Sequence, residues 1–155
     1  LTQFLRLHMA LANFPVDDVV ETRIMLERWS ARLAARQASA DDLATMRALL
    51  DAMDAETDDM AAFNELDTDF HVAMAEAAHN SLITEMTTAI RHSMRTLVLA
   101  SFREHGHWPE LSDQLRAQHR TIFDAIAAGD QKTAADAVEE HLRSANEALG
   151  WGASD

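Results

Sequence analysis

The chain has 155 residues, a length that suits one domain with a sizeable core. It carries 26 acidic and 13 basic residues, and its formal net charge of -13 makes the surface as a whole repel nucleic-acid phosphates. It contains no cysteine, which excludes disulfides and thiolate metal sites and suits a reducing cytoplasm. No apolar stretch approaches the roughly 20 residues of a membrane-spanning helix, so we expect no membrane partner and a cytoplasmic location.

Apolar residues recur at spacings of three and four along most of the chain, a pattern that predicts helices. Helix breakers are rare, with four glycines and two prolines. We therefore expect an all-α fold, a single antiparallel bundle of about six to seven helices that forms one domain over residues 1–155. The predicted helices cover approximately residues 3–12, 17–37, 39–53, 58–79, 81–106, 108–129 and 130–150.

Side chains that cap helices mark several of these boundaries. Ser39 and Asp42 have the spacing of a capping box at the start of the third predicted helix. Thr57 or Asp58 is the expected cap of the fourth, which we extend to His79.

The fourth predicted helix contains a polar pair on an otherwise apolar face. Asp67 and His71 are four residues apart, so their Cβ atoms lie roughly 5 to 6 Å apart on one side of the helix. A buried carboxylate costs several kcal/mol unless its charge is compensated, and a divalent cation would compensate it. Taken alone, the pair could also form an ordinary hydrogen bond on the helix surface.

Two more histidines occupy inward positions on the last two predicted helices. His119 lies among Leu115, Ile122 and Phe123, and His141 lies in a similar apolar setting. Each ring alone could be a buried histidine that is satisfied by a backbone carbonyl. Three inward polar sites on three helices instead favour one metal site, and an aspartate with three neutral imidazoles suits zinc, nickel, iron or manganese.

These residues lie within a series of segments that resembles a known family. The chain resembles the C-terminal effector domain, called FCD, of the FadR subfamily of GntR-type transcription regulators, with its closest likeness in the lactate-responsive branch. The segments that carry the resemblance are residues 21–27 (ETRIMLE), 67–71 (DTDFH), 77–80 (AAHN), 119–126 (HRTIFDAI), 129–130 (GD) and 137–142 (AVEEHL).

The resemblance implies a metal-containing sensor domain, not an enzyme. Metal-binding members of the family hold one divalent ion on an aspartate and three histidines. Those ligands correspond here to Asp67, His71, His119 and His141. Zinc is the first choice of ion.

The resemblance also implies a small carboxylate effector, such as a hydroxy acid, in a cavity beside the metal. Arg23 is the first candidate to bind the carboxylate, because a guanidinium can hold it through two hydrogen bonds. An alternative for Arg23 is a salt bridge to Glu27, four residues on. Asn64 and Arg95 are further candidates for effector binding.

In this family an upstream winged helix-turn-helix domain reads DNA as part of a homodimer, and we expect residues 1–155 not to include that domain. We expect DNA binding only through it. Apolar residues that could contribute to the dimer contact are Phe4, Leu5, Trp29, Leu97 and Phe102. The alternative function is a metal-dependent hydrolase on a helical bundle, since a metal with open positions can also activate water.

Overall fold

The computed structural model describes residues 14–55, 59–104 and 106–151. These ranges contain six helices, and the all-α prediction is confirmed. The helices are α1 (Val16–Gln37), α2 (Ala40–Ala55), α3 (Met60–Ala77), α4 (Ser81–Glu104), α5 (Trp108–Ala127) and α6 (Gln131–Ala148). The predicted helix at 3–12 lies outside the described residues.

Local hydrogen bonds explain where two of the helices begin. Before α2, the backbone N–H of Ser39 donates to Asp42 Oδ2 at 2.7 Å, and the N–H of Asp42 donates to Ser39 Oγ at 3.1 Å. This is the predicted capping box. Before α6, Asp130 accepts the N–H of Thr133 at 3.0 Å, and Gly129 adopts a φ of +72°. That conformation favours glycine and ends α5.

Helix α3 is shorter at both ends than the sequence predicts. Asp59 caps it, because its carboxylate accepts the N–H groups of Ala61 and Ala62 at 2.8 and 3.1 Å. The helix ends at Ala77 instead of His79, because His79 takes a φ of +49° that a right-handed helix cannot continue through. The long helix that follows ends at Glu104, two residues before the predicted boundary at Gly106.

The packing places α3 in the middle of the bundle. It contacts α1, α2 and α4, while α6 packs along α1 and α5. Helices α3 and α4 are antiparallel, since Asn64 donates to the Arg95 carbonyl and Thr84 donates to the Ala75 carbonyl. The main core joins residues from all six helices. Long side chains of α3 reach those of α5 and α6 in the core, since the ring centroids of Phe70 and His119 are 5.0 Å apart and those of His71 and His141 are 5.1 Å apart.

No helix among the described residues is both long enough and apolar enough to cross a membrane.

Candidate metal centre

Four polar side chains meet in the interior of the bundle. All are buried, and one ligand atom from each lies within 4.8 Å of the others. We call this group the histidine–aspartate cluster. Its members are Asp67 and His71 from α3, His119 from α5 and His141 from α6.

The three imidazole rings point the same nitrogen at a common centre. Nε2 of His71 lies 3.2 Å from Nε2 of His119 and 3.2 Å from Nε2 of His141. Oδ1 of Asp67 lies 3.0 Å from Nε2 of His119 and 3.8 Å from Nε2 of His71. Two nitrogens bound to one zinc ion at the tetrahedral angle would be about 3.3 Å apart. The spacing of the rings therefore fits ligation of a single ion.

The partners of the outer nitrogens indicate which nitrogen carries the proton. Nδ1 of His141 lies 3.0 Å from Oε1 of Gln118, whose amide nitrogen donates to Ser144. Nδ1 of His71 lies 2.5 Å from Oε2 of Glu27, at hydrogen-bond distance but away from the direction of a regular N–H···O bond. Both oxygens favour a proton on Nδ1. The Nε2 lone pairs of these two rings then face each other without a hydrogen between them.

The protonation states suit a metal. Burial and the charge of Arg91 lower the pKa of His71 to about 4, and Glu27 and Asp67 only partly oppose this shift. Burial, followed by the charges of His119 and His71, lowers the pKa of His141 well below its usual value. Both rings are therefore neutral at pH 7, as metal ligation requires.

Asp67 is ionised in this setting. Burial alone would raise its pKa, but the hydrogen bond from His119 and the charge of Arg91 hold the pKa well below its usual value. The cluster thus presents one carboxylate and the neutral imidazoles of His71 and His141 to its centre. Such a donor set can hold a divalent cation such as zinc, nickel, iron or manganese.

A second buried group supports the cluster on the side facing α1 and α4. Glu27 accepts from Arg23 Nε at 2.9 Å and from Arg91 at 2.7 Å (Nε) and 2.5 Å (Nη2). Nη1 of Arg91 also donates to Oδ2 of Asp67 at 3.1 Å. We call Arg23, Glu27 and Arg91 the arginine–glutamate layer. It connects helix α1 to two members of the cluster, Asp67 and His71.

The three residues predicted to bind the effector lie in different environments. Arg23 is buried in the arginine–glutamate layer, where it makes the salt bridge to Glu27. Asn64 is buried one turn before Asp67, and its amide donates to the Arg95 carbonyl at 2.9 Å. The guanidinium of Arg95 is half exposed and lies 3.7 Å from Glu65. The structure therefore brings Arg23 beside the cluster and directs Arg95 toward solvent.

Three residues of the site were not predicted: Glu27, Arg91 and Gln118. The spacing of Arg23 and Glu27 predicts their salt bridge, but the contact between Glu27 and His71 joins positions 44 residues apart. One signal was available for Arg91. Its position four residues after Thr87 and three before Met94, which are both buried, places it on the inner face of α4, but a charged residue there is readily interpreted as solvated.

Comparison with known families decides what kind of domain this is. The pattern of the FCD domain matches residues 18–144, most of the chain. The chain belongs to the FCD domain family. The four residues that the sequence resemblance implied as ligands are buried and adjacent to one another.

Relatives of this FCD domain are transcription regulators. It is 30% identical over 133 residues to an Escherichia coli K12 protein named as a regulator of the L-lactate dehydrogenase operon, covering 81% of this chain and 48% of that protein. It is 30% identical over 135 residues to the galactonate operon transcriptional repressor of the same strain, covering 86% of this chain and 57% of the repressor. The chain thus spans about half the length of these relatives. None of these names describes an enzyme, so the hydrolase alternative gains no support.

Solved structures show the same fold. Escherichia coli McbR/YncC matches with a TM-score of 0.77 at 20% identity, covering 86% of this chain and 63% of that one. Streptococcus agalactiae GntR matches with a TM-score of 0.74 at 22% identity, covering 91% of this chain and 64% of that one. The helical arrangement described above therefore occurs in both of these solved structures.

Proposed function

We propose that this FCD domain is the metal-containing sensor of a transcription regulator and that it binds a small carboxylate effector beside a divalent ion. The observation that carries the proposal is the convergence of three Nε2 atoms and one carboxylate oxygen in the histidine–aspartate cluster. Zinc is our first choice, because it accepts this set of nitrogen and oxygen donors and leaves a position for another ligand. Nickel, iron and manganese accept the same donors.

The buried charges explain why the effector would be an anion. Arg23 and Arg91 balance Glu27 and Asp67, while the neutral rings of His71 and His141 add no charge. A divalent ion would add two positive charges to this closed region. An uncompensated buried charge costs several kcal/mol, so a carboxylate ligand would be stabilised there. A 2-hydroxy acid offers the carboxylate together with a second oxygen donor.

Arg23 is the first candidate for the group that binds the effector carboxylate. Among the described residues only its Nε is engaged, by Glu27, which leaves both Nη groups of the guanidinium for a ligand. Arg91 uses Nε and both Nη groups on Glu27 and Asp67. Asn64 could add one hydrogen bond through its amide oxygen. The exposed position of Arg95 makes its role in effector binding the weakest of the three.

The burial of the cluster suggests how binding would be transmitted. Its histidines have exposed fractions of 0, 0 and 1%, so an effector can reach the centre only if helices move apart. Because the ligands come from α3, α5 and α6, and Arg23 from α1, the movement would involve most of the bundle. In the whole regulator such a movement would change the placement of an upstream DNA-reading domain in a homodimer. A protein that reads DNA in a bacterium would work in the cytoplasm.

Metal analysis and calorimetry test the proposal together. Elemental analysis of the chain purified with zinc should give about one ion per molecule. Titration with L-lactate, glycolate, malate and D-galactonate should show that one of these acids binds the zinc-loaded form far more tightly than the metal-free form. Absence of stoichiometric metal would reject the metal site. Equal affinity of the acid for the two forms would remove the metal from effector recognition.

A further inference from the structure

Glu27 joins the two halves of the proposed site through a single carboxylate. It is completely buried in α1, although its only charged neighbour at helical spacing is Arg23. Its Oε1 atom accepts from Nε of Arg23 and from Nε of Arg91. Its Oε2 atom accepts from Nη2 of Arg91 and lies 2.5 Å from Nδ1 of His71. Oε1 therefore faces Arg23, the residue proposed to bind the effector, and Oε2 faces His71, a proposed metal ligand.

Packing of this kind restricts independent movement of the two groups. A carboxylate is planar and rigid, so a displacement of Oε1 that follows the Arg23 guanidinium also displaces Oε2. Oε2 in turn faces the imidazole ring whose Nε2 points to the centre of the cluster. Arg91 holds the carboxylate at both oxygens and reaches Asp67 with its remaining nitrogen, which limits rotation of the carboxylate on its own.

We propose that Glu27 is a positioning residue that orients His71 for the metal and couples the metal to the effector through Arg23. The proposal rests on the metal-dependent sensor function proposed above and adds a route by which its two ligands affect each other. An anion that binds the Arg23 guanidinium changes the interaction of Arg23 with Glu27, and thereby the orientation of His71. By thermodynamic reciprocity, the metal then changes the affinity for the anion by the same factor.

The test measures zinc affinity of the full 155-residue chain, by competition with a chelator, with and without the acid that binds best in calorimetry. Glu27→Gln keeps the shape of the side chain and removes its charge. We expect it to lower zinc affinity about 10- to 100-fold, the usual loss when a group that orients a ligand is removed. We also expect the acid to change the zinc affinity of this variant much less than it changes that of the wild type.

Two matched variants separate positioning from general destabilisation. Arg23→Gln should lose affinity for the acid and should change zinc affinity less than Glu27→Gln does, because Arg91 still holds both oxygens of the Glu27 carboxylate. Leu50→Ala lowers stability from a buried position on α2, a helix that contributes no member of the cluster, and should change neither affinity. Visible absorption of the cobalt(II)-loaded chain gives a second readout. Its bands should shift in Glu27→Gln and stay in place in Leu50→Ala, because only the first substitution disturbs a ligand.

Loss of the Glu27 charge alone leaves the buried guanidinium groups of Arg23 and Arg91 with less negative charge beside them, which could prevent folding. The double variant Arg23→Gln/Glu27→Gln removes one charge of each sign and keeps the buried region neutral. Its zinc affinity should fall below that of Arg23→Gln. Equal zinc affinity in these two variants, or in Glu27→Gln and wild type, would overturn the positioning role while leaving the sensor function intact. A wild-type chain that binds no zinc would overturn both.

Discussion

The rings of His71 and His141 stack with their centroids 5.1 Å apart and their planes at 17°, and their Nε2 atoms are 3.2 Å apart. The Nδ1 atoms of both rings face oxygen acceptors on Glu27 and Gln118. The Nε2 lone pairs of the two rings therefore face each other and repel. A positive charge between them would remove this repulsion. A proton is disfavoured, because burial and Arg91 lower the pKa of His71 to about 4. A metal ion satisfies both lone pairs at once.

Removal of one of these rings should abolish metal binding. We expect His141→Ala to purify without stoichiometric zinc, because it deletes the proposed ligand on α6. Zinc in excess should stabilise the wild type by about 4 kcal/mol at 1,000 times its Kd and leave the variant unaffected. Elemental analysis and calorimetric melting with and without a chelator measure both effects. His79→Ala is the control, since His79 is half exposed and pairs with Asp42. Stoichiometric zinc in His141→Ala would contradict the assignment.

The metal-free chain should lose stability as the pH falls from about 6.5 to 4. The folded-state pKa of His71 is lowered from 6.5 to about 4, so in this interval the unfolded chain binds more protons than the folded chain. Stability therefore rises with pH, and the contribution is complete above the unfolded-state pKa. It amounts to about 3 kcal/mol for a shift of this size in a fully buried group.

Chemical denaturation of the chelator-treated chain at several pH values measures this dependence. His71→Gln is the control, because an amide occupies the position without titrating. Its stability should change less over the same interval. A wild-type chain whose free energy of unfolding stayed constant between pH 6.5 and 4 would show that His71 does not titrate as its environment predicts.

The sequence was sufficient to predict the four members of the cluster, because a polar residue on the apolar face of a helix is visible from helical spacing alone. Asp67 and His71 share one face, and His119 and His141 interrupt two others. The arginine–glutamate layer was not predictable in the same way. Its members are charged, and although helical spacing places Arg91 on the inner face of α4, it does not indicate that Arg91 pairs with Glu27 on another helix.

The two arginines predicted to bind the effector should differ in importance. Arg23→Gln should weaken binding of the acid at least tenfold, because a hydrogen bond to a charged group in a buried site contributes about 1.5 to 3 kcal/mol. Arg95→Gln should change it little, because the Arg95 side chain is half exposed and faces Glu65. Calorimetry on the zinc-loaded variants makes the comparison. A larger loss of affinity for the acid in Arg95→Gln than in Arg23→Gln would mean that Arg95 is the more important of the two for effector binding.

Thr87→Val should stabilise the effector-free chain. The Thr87 hydroxyl is buried and has no hydrogen-bond partner within the described part of the chain. Ser93 and Ser101 on the same helix donate to the carbonyl four residues earlier. An isosteric apolar side chain removes the cost of the unpaired hydroxyl, about 1 kcal/mol. Urea denaturation measures the gain, and Thr87→Ser, which keeps the hydroxyl, should not show it. Lower stability in the valine variant would mean that the hydroxyl has a partner in solution.

This chain alone should fail to bind DNA and yet form a dimer. DNA binding should appear when a winged helix-turn-helix domain is joined upstream of it. At a net charge of -13 the chain is poorly suited to neutralise DNA phosphates and so to release the cations condensed on them, which is what drives such binding. Among the apolar residues considered for the dimer contact, Trp29 and Leu97 are about half exposed, whereas Phe102 is buried in the core; Phe4 and Leu5 lie outside the described residues. Light scattering measures the oligomeric state, and gel-shift assays measure DNA binding, for this chain and for the chain with the upstream domain.

Trp29→Ser/Leu97→Ser should shift the chain toward monomer without loss of zinc, because neither side chain belongs to the cluster. Sequence-specific binding of DNA by this chain would contradict the prediction that a separate domain binds DNA. A monomeric wild type would place the dimer contact elsewhere in the regulator.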